Sequence, residues 1–555
     1  MSWLADLQDL KVRFGPAAAR RKRTILQRAA RASVEDPAAL VEYHEALCFI
    51  RAFPDDRSVL EAAGNELRLF ARRVAPMKDD LVDTGIAGTI YHYPFDLPMA
   101  SWLVDRFGDA VDIDWDEYDG REEDNLSTIL PPLSGWVETA ALDDELLGTH
   151  EWFERSAGRS KAGSLRRLIR RLRGSGLPAE VQETLYNSMN VPVRWDLGES
   201  RASRTLARMQ GQPFYYHKSA LRGRAGDLRR EIRRPLDPLR PVPRGRARLW
   251  IDLARCALSV RDRELYPLAL ANPGEVYEVG IGRGVTFVLI GMSPRRRLPI
   301  ESDYAAFVCK NGIPIGYALG ALLFDRVEIA VNVFPTFRQG ESSFVFEQFA
   351  RIFHHQFGPR SFFIERYQLG HENDEGLEAG SFWFYYKLGF RPIDAKVATL
   401  AEQEAERIRR VRGARTARPM LRRLARSHVI MRLDREPPSA SGEIPLTEIG
   451  LAVSRLIEER FRGDLAGAES ACAARVARLL GAGSPSSWPE SEREAFLRLS
   501  PLASLLPGLG AWTAREKRDL ARIMRAKGAT GEAAYARAVI RHPKLKQALL
   551  AMAEG

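Results

Sequence analysis

The stretch Tyr304 to Pro335, "YAAFVCKNGIPIGYALGALLFDRVEIAVNVFP", limits the possible folds more than any other part of the chain. It consists of three extended runs separated by turn residues. Asn311-Gly312 lies between the first two, and both residue types tolerate the positive φ of a two-residue hairpin turn. Phe324-Asp325-Arg326 marks a second turn, and Val327 to Phe334 reads as a third strand. Three consecutive antiparallel strands are predicted from these residues alone.

The elements on either side extend the sheet. "EVYEVGIGRGVTFVLIG" has strand composition around glycines. A β-branched run follows Gly280-Ile281-Gly282-Arg283-Gly284 where a dinucleotide loop would open a helix, so a glycine-bent hairpin is expected. Downstream, "SFVFEQFARIFHHQF" places Phe346, Phe349, Phe353 and Phe357 on one side of a helix over 343–357. "SFFIERY" is a further strand. Glu375 to Leu388 reads as one helix with an inner stripe of Leu377, Ser381, Phe384 and Leu388, ended by Gly389. On this pattern Tyr385 and Tyr386 lie beside the inner stripe.

The ends of the chain read differently. Residues 1–235 are predicted mainly helical, with "AALVEYHEALCFIRAF" keeping Leu40, Tyr43, Leu47, Ile50 and Phe53 at helical spacing. "SLRRLIRRLRG" sets Leu165, Leu168, Ile169 and Leu172 in one stripe, with Ser164 as its cap. The acidic "DIDWDEYDGREED" between them reads as an exposed loop. Residues 236–248, rich in proline and arginine, read as a linker. Residues 445–555 are again helical, with breaks at "EPPSASGEIP" and "GAGSPSSWPESE" bounding or interrupting them. The expected fold class is therefore α+β and multidomain, with a central mixed sheet over 249–436 between helical regions.

Composition removes several classes of function. At 45% hydrophobic and 28% charged residues the chain is globular in character. Apolar runs such as "VTFVLIG" are too short to span a membrane. The four cysteines lack metal-ligand spacing and predict reduced thiols in a cytoplasm. The nine histidines form no HExxH pair, and His354-His355 point about 100° apart on a helix, so no metal is expected. The net charge of +11 comes from 83 basic against 72 acidic residues, a modest bias on a densely charged surface.

Two segments carry candidate chemistry. Arg338-Gln339-Gly340-Glu341-Ser342-Ser343 joins the third strand to the phenylalanine-rich helix. Backbone N–H groups, a helix dipole and an arginine suit a diphosphate there, although any strand-to-helix turn offers free amides. "FWFYYKLGFRP" offers a phenol that can protonate a departing thiolate, although aromatic stripes also fill cores.

In order of elements and in "FRQGESS" and "FYYKLGF", residues 285–436 resemble the GNAT acyltransferase superfamily. The resemblance implies an acyl-CoA or acetyl-CoA co-substrate. Its diphosphate would lie on Arg338, Gln339, Gly340, Glu341, Ser342 and Ser343, and its pantetheine arm along Val331, Asn332 and Val333. Tyr385 would be the general acid. Two departures from the superfamily pattern stand out: Glu341 and Ser343 replace small loop residues, and a basic helical insertion over about 396–427 delays the last strand to His428–Asp434.

On the acceptor side an amine nucleophile needs a base. Glu328 and Glu365 are the candidates, with an exposed strand carboxylate as the plainer reading of Glu328. "RYQLGHENDEG" makes Arg366, Tyr367, His371 and Asn373 candidates for acceptor recognition, or else for capping a helix. The expected function is N-acyl transfer to a small-molecule or protein amine. The alternatives are an inactive acyl-CoA sensor or scaffold, and a weak nucleic-acid binder acting through the arginine-rich helices.

Overall fold

The computed structural model describes residues 2–119, 125–143, 147–223, 226–263, 266–434, 444–483 and 485–554. The chain forms two compact units. The first comprises residues 1–221, 249–270 and 310–314, the second residues 222–248, 271–309 and 315–555.

Helices dominate the first unit. Helix α1 (Pro37–Ala52) starts where the Asp36 carboxylate accepts the Ala39 N–H at 2.9 Å. The expected stripe Leu40, Tyr43, Leu47, Ile50 and Phe53 is buried, and so are His44, Cys48 and Arg51. Helix α2 (Ser164–Gly174) buries Leu165, Leu168, Ile169 and Leu172. Its start is held by Asp112, which accepts the N–H groups of Ser164 at 3.2 Å and Leu165 at 2.8 Å, so Ser164 is not its own helix's cap.

The first unit also holds a small sheet that helical periodicity does not anticipate. Strands β1 (Ile90–Tyr93), β2 (Val111–Ile113) and β3 (Val193–Asp196) are antiparallel in the order β1-β3-β2. Along β3, Val193 and Trp195 are buried while Arg194 and Asp196 face out, the two-residue period of a half-covered strand. The acidic segment expected as a loop thus supplies β2 and the helical turn Trp115–Asp119, while residues 120–124 lie outside the described residues.

The second unit contains a mixed sheet of nine strands among the described residues. These are β4 (Arg240–Pro241), β5 (Ala271–Gly282), β6 (Val285–Met292), β7 (Ser302–Lys310), β8 (Ile313–Leu323), β9 (Arg326–Val333), β10 (Ser361–Ile364), β11 (Arg391–Pro392) and β12 (Val429–Arg432). Their order is β11-β12-β10-β9-β8-β7-β6-β5-β4. Both predicted hairpins form. Asn311 and Gly312 take φ of +53° and +77°, and β5 turns into β6 around Arg283. Residues 236–248 hold β4 and the start of the helix Arg244–Ser259, with little extended linker.

Between β9 and β10 runs helix α3 (Ser342–Phe357), and the two strands are parallel, as a crossover helix demands. Phe346, Phe349, Phe353 and Phe357 are all buried. Gly320 on β8 makes room for one of them: a Cβ there would lie 2.1 Å from the Phe353 ring.

The predicted helix over 375–388 is two pieces, α4 (Asp374–Glu378) and α5 (Ser381–Lys387), broken where Gly380 takes φ +66°. The break resets the helical phase. Phe382 and Tyr385 now face inward, and Ser381 and Phe384 are only half-buried. The insertion is helical, α6 (Ala395–Arg410) and α7 (Arg418–Leu424). Helices between Leu446 and Glu554 close the chain around Val476, Phe496, Leu520 and Leu549. Residues 435–443, where one break was expected, lie outside the described residues.

Candidate functional site

Strand β9 meets β10 over three residue pairs only, Arg326–Ser361, Val327–Phe362 and Glu328–Phe363. It continues to Val333 paired with β8 alone, Val331 opposite Ala318 and Val333 opposite Gly316. The N–H of Phe334 donates to Ile315 O at 2.9 Å, which fixes the alternation of hydrogen bonds along the pair. Asn332 and Ala330 therefore turn their backbone groups to β8, and Ile329, Val331 and Val333 turn theirs the other way. The Val333 carbonyl does point there, accepting Arg338 Nε at 3.2 Å. Val331 and Val333 thus turn their backbone groups to the side on which β10 pairs only as far as Glu328. Asn332 differs: its side-chain amide donates to the Tyr317 hydroxyl at 3.4 Å.

From this edge the chain passes through a short helical turn at Pro335–Phe337 into the loop that opens α3. Ser342, Ser343 and Phe344 form its first turn, whose N–H groups have no acceptor within the helix. Glu341, the residue least suited to a phosphate neighbour, turns inward and is 3% exposed. One of its oxygens accepts Arg222 N–H at 3.0 Å and Arg283 Nε and Nη2 at 3.1 and 2.9 Å. Its charge is therefore spent on the Arg283 guanidinium and the Arg222 main-chain N–H, both far away in sequence. Arg338 is engaged as well, by Glu375 at 2.6 Å. The Arg222 guanidinium lies 4.5 Å from the centroid of the Phe344 ring. Gln339 is exposed, Gly340 donates its N–H to Phe337 O at 2.8 Å, and the Ser342 hydroxyl donates to Arg338 O at 3.0 Å.

Tyr385 reaches the same helix. Its ring centroid is 5.4 Å from that of Phe346, one turn into α3, with Phe390 at 5.7 Å. At 4% exposure it sits at the centre of the buried face of α5, not beside it as the unbroken helix predicted. Burial pushes the phenol above its ordinary value, so it keeps its proton at every physiological pH.

The face of the sheet away from α3 carries carboxyl groups. Glu328 shares it with Phe363, its partner across the parallel pair. Tyr304 packs its ring 4.6 Å from Phe357 of α3, so the neighbouring Asp303 points to the opposite face. Burial, then Glu532 and Glu301, pushes the Asp303 carboxyl up to about 7. Glu328 is also held above its ordinary value, by burial and against the pull of Arg326 at 3.2 Å. Glu365 takes the Tyr367 N–H at 2.6 Å and lies 3.8 Å from His428 Nδ1. Asp303 and Glu301 escaped the sequence reading because nothing in their local pattern marks them. Their environment is assembled from β9 and residues near 530.

The candidate acceptor loop is largely occupied with its own fold. Asn373 caps α4 through the Gly376 N–H at 3.2 Å and donates to Tyr367 O at 3.0 Å. The His371 N–H donates to Arg366 O at 3.1 Å, and Arg366 lies against Glu365. Tyr367, 53% exposed, is the one of the four named side chains most open to a ligand. The arginine-rich helices are similarly engaged. On α2, Arg171 pairs with Glu138; on α6 and α7, Arg407 pairs with Glu404, Arg410 with Glu406 and Arg418 with Asp374. His354 and His355 reach for different carbonyls, Pro359 O and Arg234 O. Among the described residues no group of three or more His, Cys, Asp or Glu is arranged to hold a metal ion, and no helix is long and apolar enough to cross a membrane. No protein-family profile matches the chain, and neither a curated protein nor a solved structure matches it.

Proposed function

We propose that the second unit is a GNAT-like acyltransferase that moves an acyl group from a coenzyme A thioester to an amine. The carrying observation is the early end of the β9–β10 pairing, which leaves the backbone of Val331 and Val333 facing away from β8 just before the chain enters the loop that opens α3. An extended amide-bearing arm can pair with that edge as a strand would. A diphosphate at its end would then meet the amides of Ser342, Ser343 and Phe344. The inward turn of Glu341 supports this reading, because it removes a carboxylate from the loop surface.

The reacting groups would take the following roles. The N–H groups of the β9 edge can receive charge developing on the thioester oxygen. Glu328 or Glu365 would take the amine's proton, directly or through water, and the raised proton affinity of Glu328 suits a base working near neutrality. Tyr385 would return a proton to the leaving sulfur. The carboxyl-rich face favours a cationic amine as acceptor over an anionic one. A second reading, a binding protein without turnover, is favoured by the enclosure of Tyr385.

Thermal unfolding with acetyl-CoA, coenzyme A and ADP, combined with thiol release across a panel of amines, tests both readings. Melting should rise with the coenzyme forms, by mass action on the folded state. Thiol release with an amine selects the transferase, and a shift without release selects the binding protein. No shift with any of the three removes both.

A further inference from the structure

On α1, His44, Cys48 and Arg51 follow one another at spacings of four and three residues, along one side of the helix. Nothing proposed above uses them. All three are buried, at 0%, 3% and 8% exposure. Cys48 Sγ lies 3.6 Å from His44 Nε2 and 3.9 Å from Nδ1. The imidazole is oriented by Glu45 Oε1 at 3.3 Å from Nδ1 and by Thr205 Oγ1 at 2.9 Å from Nε2. Thr205 is in turn held by the Ala87 N–H at 2.9 Å.

A second observation is independent of that dyad. Nε and Nη2 of Arg51 are buried and have no hydrogen-bond acceptor among the described residues. An interior guanidinium calls for an anion. The charged groups around it supply few. Arg204 pairs with Glu45, Arg261 faces Arg204, Glu45 and Cys48, and Arg208 faces Arg51. Glu45 is thus engaged by Arg204 and Arg261, and Tyr91 is held neutral by burial. The group able to carry negative charge that acts on the Arg51 guanidinium is the sulfur of Cys48.

We propose that Cys48 is a peroxide-reactive residue, a sulfur anion held between His44 and Arg51 that a hydroperoxide converts to a sulfenic acid. Burial and the charge of Glu45 oppose the anion, but His44 and Arg51 outweigh them and hold the thiol below its ordinary value. Two other cysteines give the contrast: burial pushes Cys256 up to about 12 and Cys309 well above its ordinary value. In the reaction the sulfur gives an electron pair to one peroxide oxygen and the S–O bond forms as the O–O bond breaks. Hydroxide leaves and is neutralised to water by a proton from the buffer acid. Sulfur is oxidised by two electrons and the peroxide is reduced. The slight exposure of Cys48 favours an oxidant as small as hydrogen peroxide over a bulky reagent.

The test uses the full chain. Hydrogen peroxide is added and the reaction is quenched into denaturant containing dimedone, so that burial does not block labelling. Adducts are then mapped by mass spectrometry. Cys48 should lead Cys256 and Cys309 by at least about tenfold, and should still react at about pH 6. The ultraviolet band of the thiolate should be present there in the wild type and absent from Cys48→Ser. Arg51→Met should move the midpoint of that band up by about one pH unit. The proposal is overturned by label on the other cysteines in preference to Cys48, by a wild type without the band, or by an Arg51→Met midpoint that stays in place. The wild-type adduct map decides the question even if a variant fails to fold.

Discussion

Two groups of charges in the second unit share carboxylates and cations but differ in closure. Glu275, Arg297, Lys527 and Glu532 form a sealed set of two acids and two bases. Arg297 Nη2 meets Glu275 at 3.2 Å, Lys527 meets Glu532, and the Tyr304 hydroxyl donates to Glu275 at 2.5 Å. Arg297 and Lys527 also bond main-chain carbonyls, Lys527 O at 2.7 Å and Glu301 O at 2.6 Å. On the sheet face above, Glu301 and Glu328 lie near Arg326, Asp303 has both carboxylates as neighbours, and Glu301 and Glu365 raise the proton affinity of Glu328. The sealed set has its charge balanced and joins the sheet to the closing helices. The open set has carboxyl charge in excess and half-buried side chains. Balanced burial belongs to the fold, and unbalanced half-burial is the mark of a place where chemistry can occur.

The contrast breaks most sharply in the sealed set. Lys527→Met leaves two interior carboxylates to one guanidinium, and should cost about 3–5 kcal/mol of unfolding free energy in urea titrations. A loss under about 1 kcal/mol would mean that the set is not sealed.

The next effect separates the two groups by pH. Asp303 titrates in the folded chain at about 7, above the ordinary carboxyl value of about 3.9, so the folded state binds its proton more tightly. Stability should therefore fall as pH rises between about 4 and 7, with the penalty complete above that window. The upper limit is about 4 kcal/mol, at roughly 1.4 kcal/mol per pH unit. Unfolding at about pH 5 and pH 8 should show the drop in the wild type and a smaller one in Asp303→Asn.

Tyr385→Phe should lower turnover about a hundredfold and leave the coenzyme-induced melting shift in place, since the ring's packing against Phe346 survives. Loss of the shift together with turnover would assign Tyr385 to the core. The smallest effect belongs to the surface: Arg410→Ala, which breaks an exposed pair with Glu406, should cost under about 0.5 kcal/mol.

Much of the nine-stranded sheet was legible because its turns are local. Asn311-Gly312 and the glycines around Arg283 state their hairpins within a few residues. The phase of α5 was lost because one glycine, Gly380, interrupts a pattern whose spacing otherwise continues through it. The small sheet was missed because its strands are three or four residues long, below the window in which a two-residue period is visible. Of the site, the loop and Tyr385 could be named from sequence, but the fate of Glu341 could not. Its partner Arg283 is 58 residues away, and the backbone of Arg222 is 119 away. The open carboxyl face was half visible: strand alternation gave Glu328, whereas Asp303 depends on neighbours from three separate stretches.

Gly320 has a consequence beyond its own strand. The ring of Phe353 occupies the volume a side chain there would fill, so the height of α3 above the sheet is set by one missing carbon. Adding that carbon would lever the helix outward and carry its leading amides away from the end of β9. The reach between strand edge and helix tip is thus gauged about three turns along α3 from its tip, by an atom the chain leaves out.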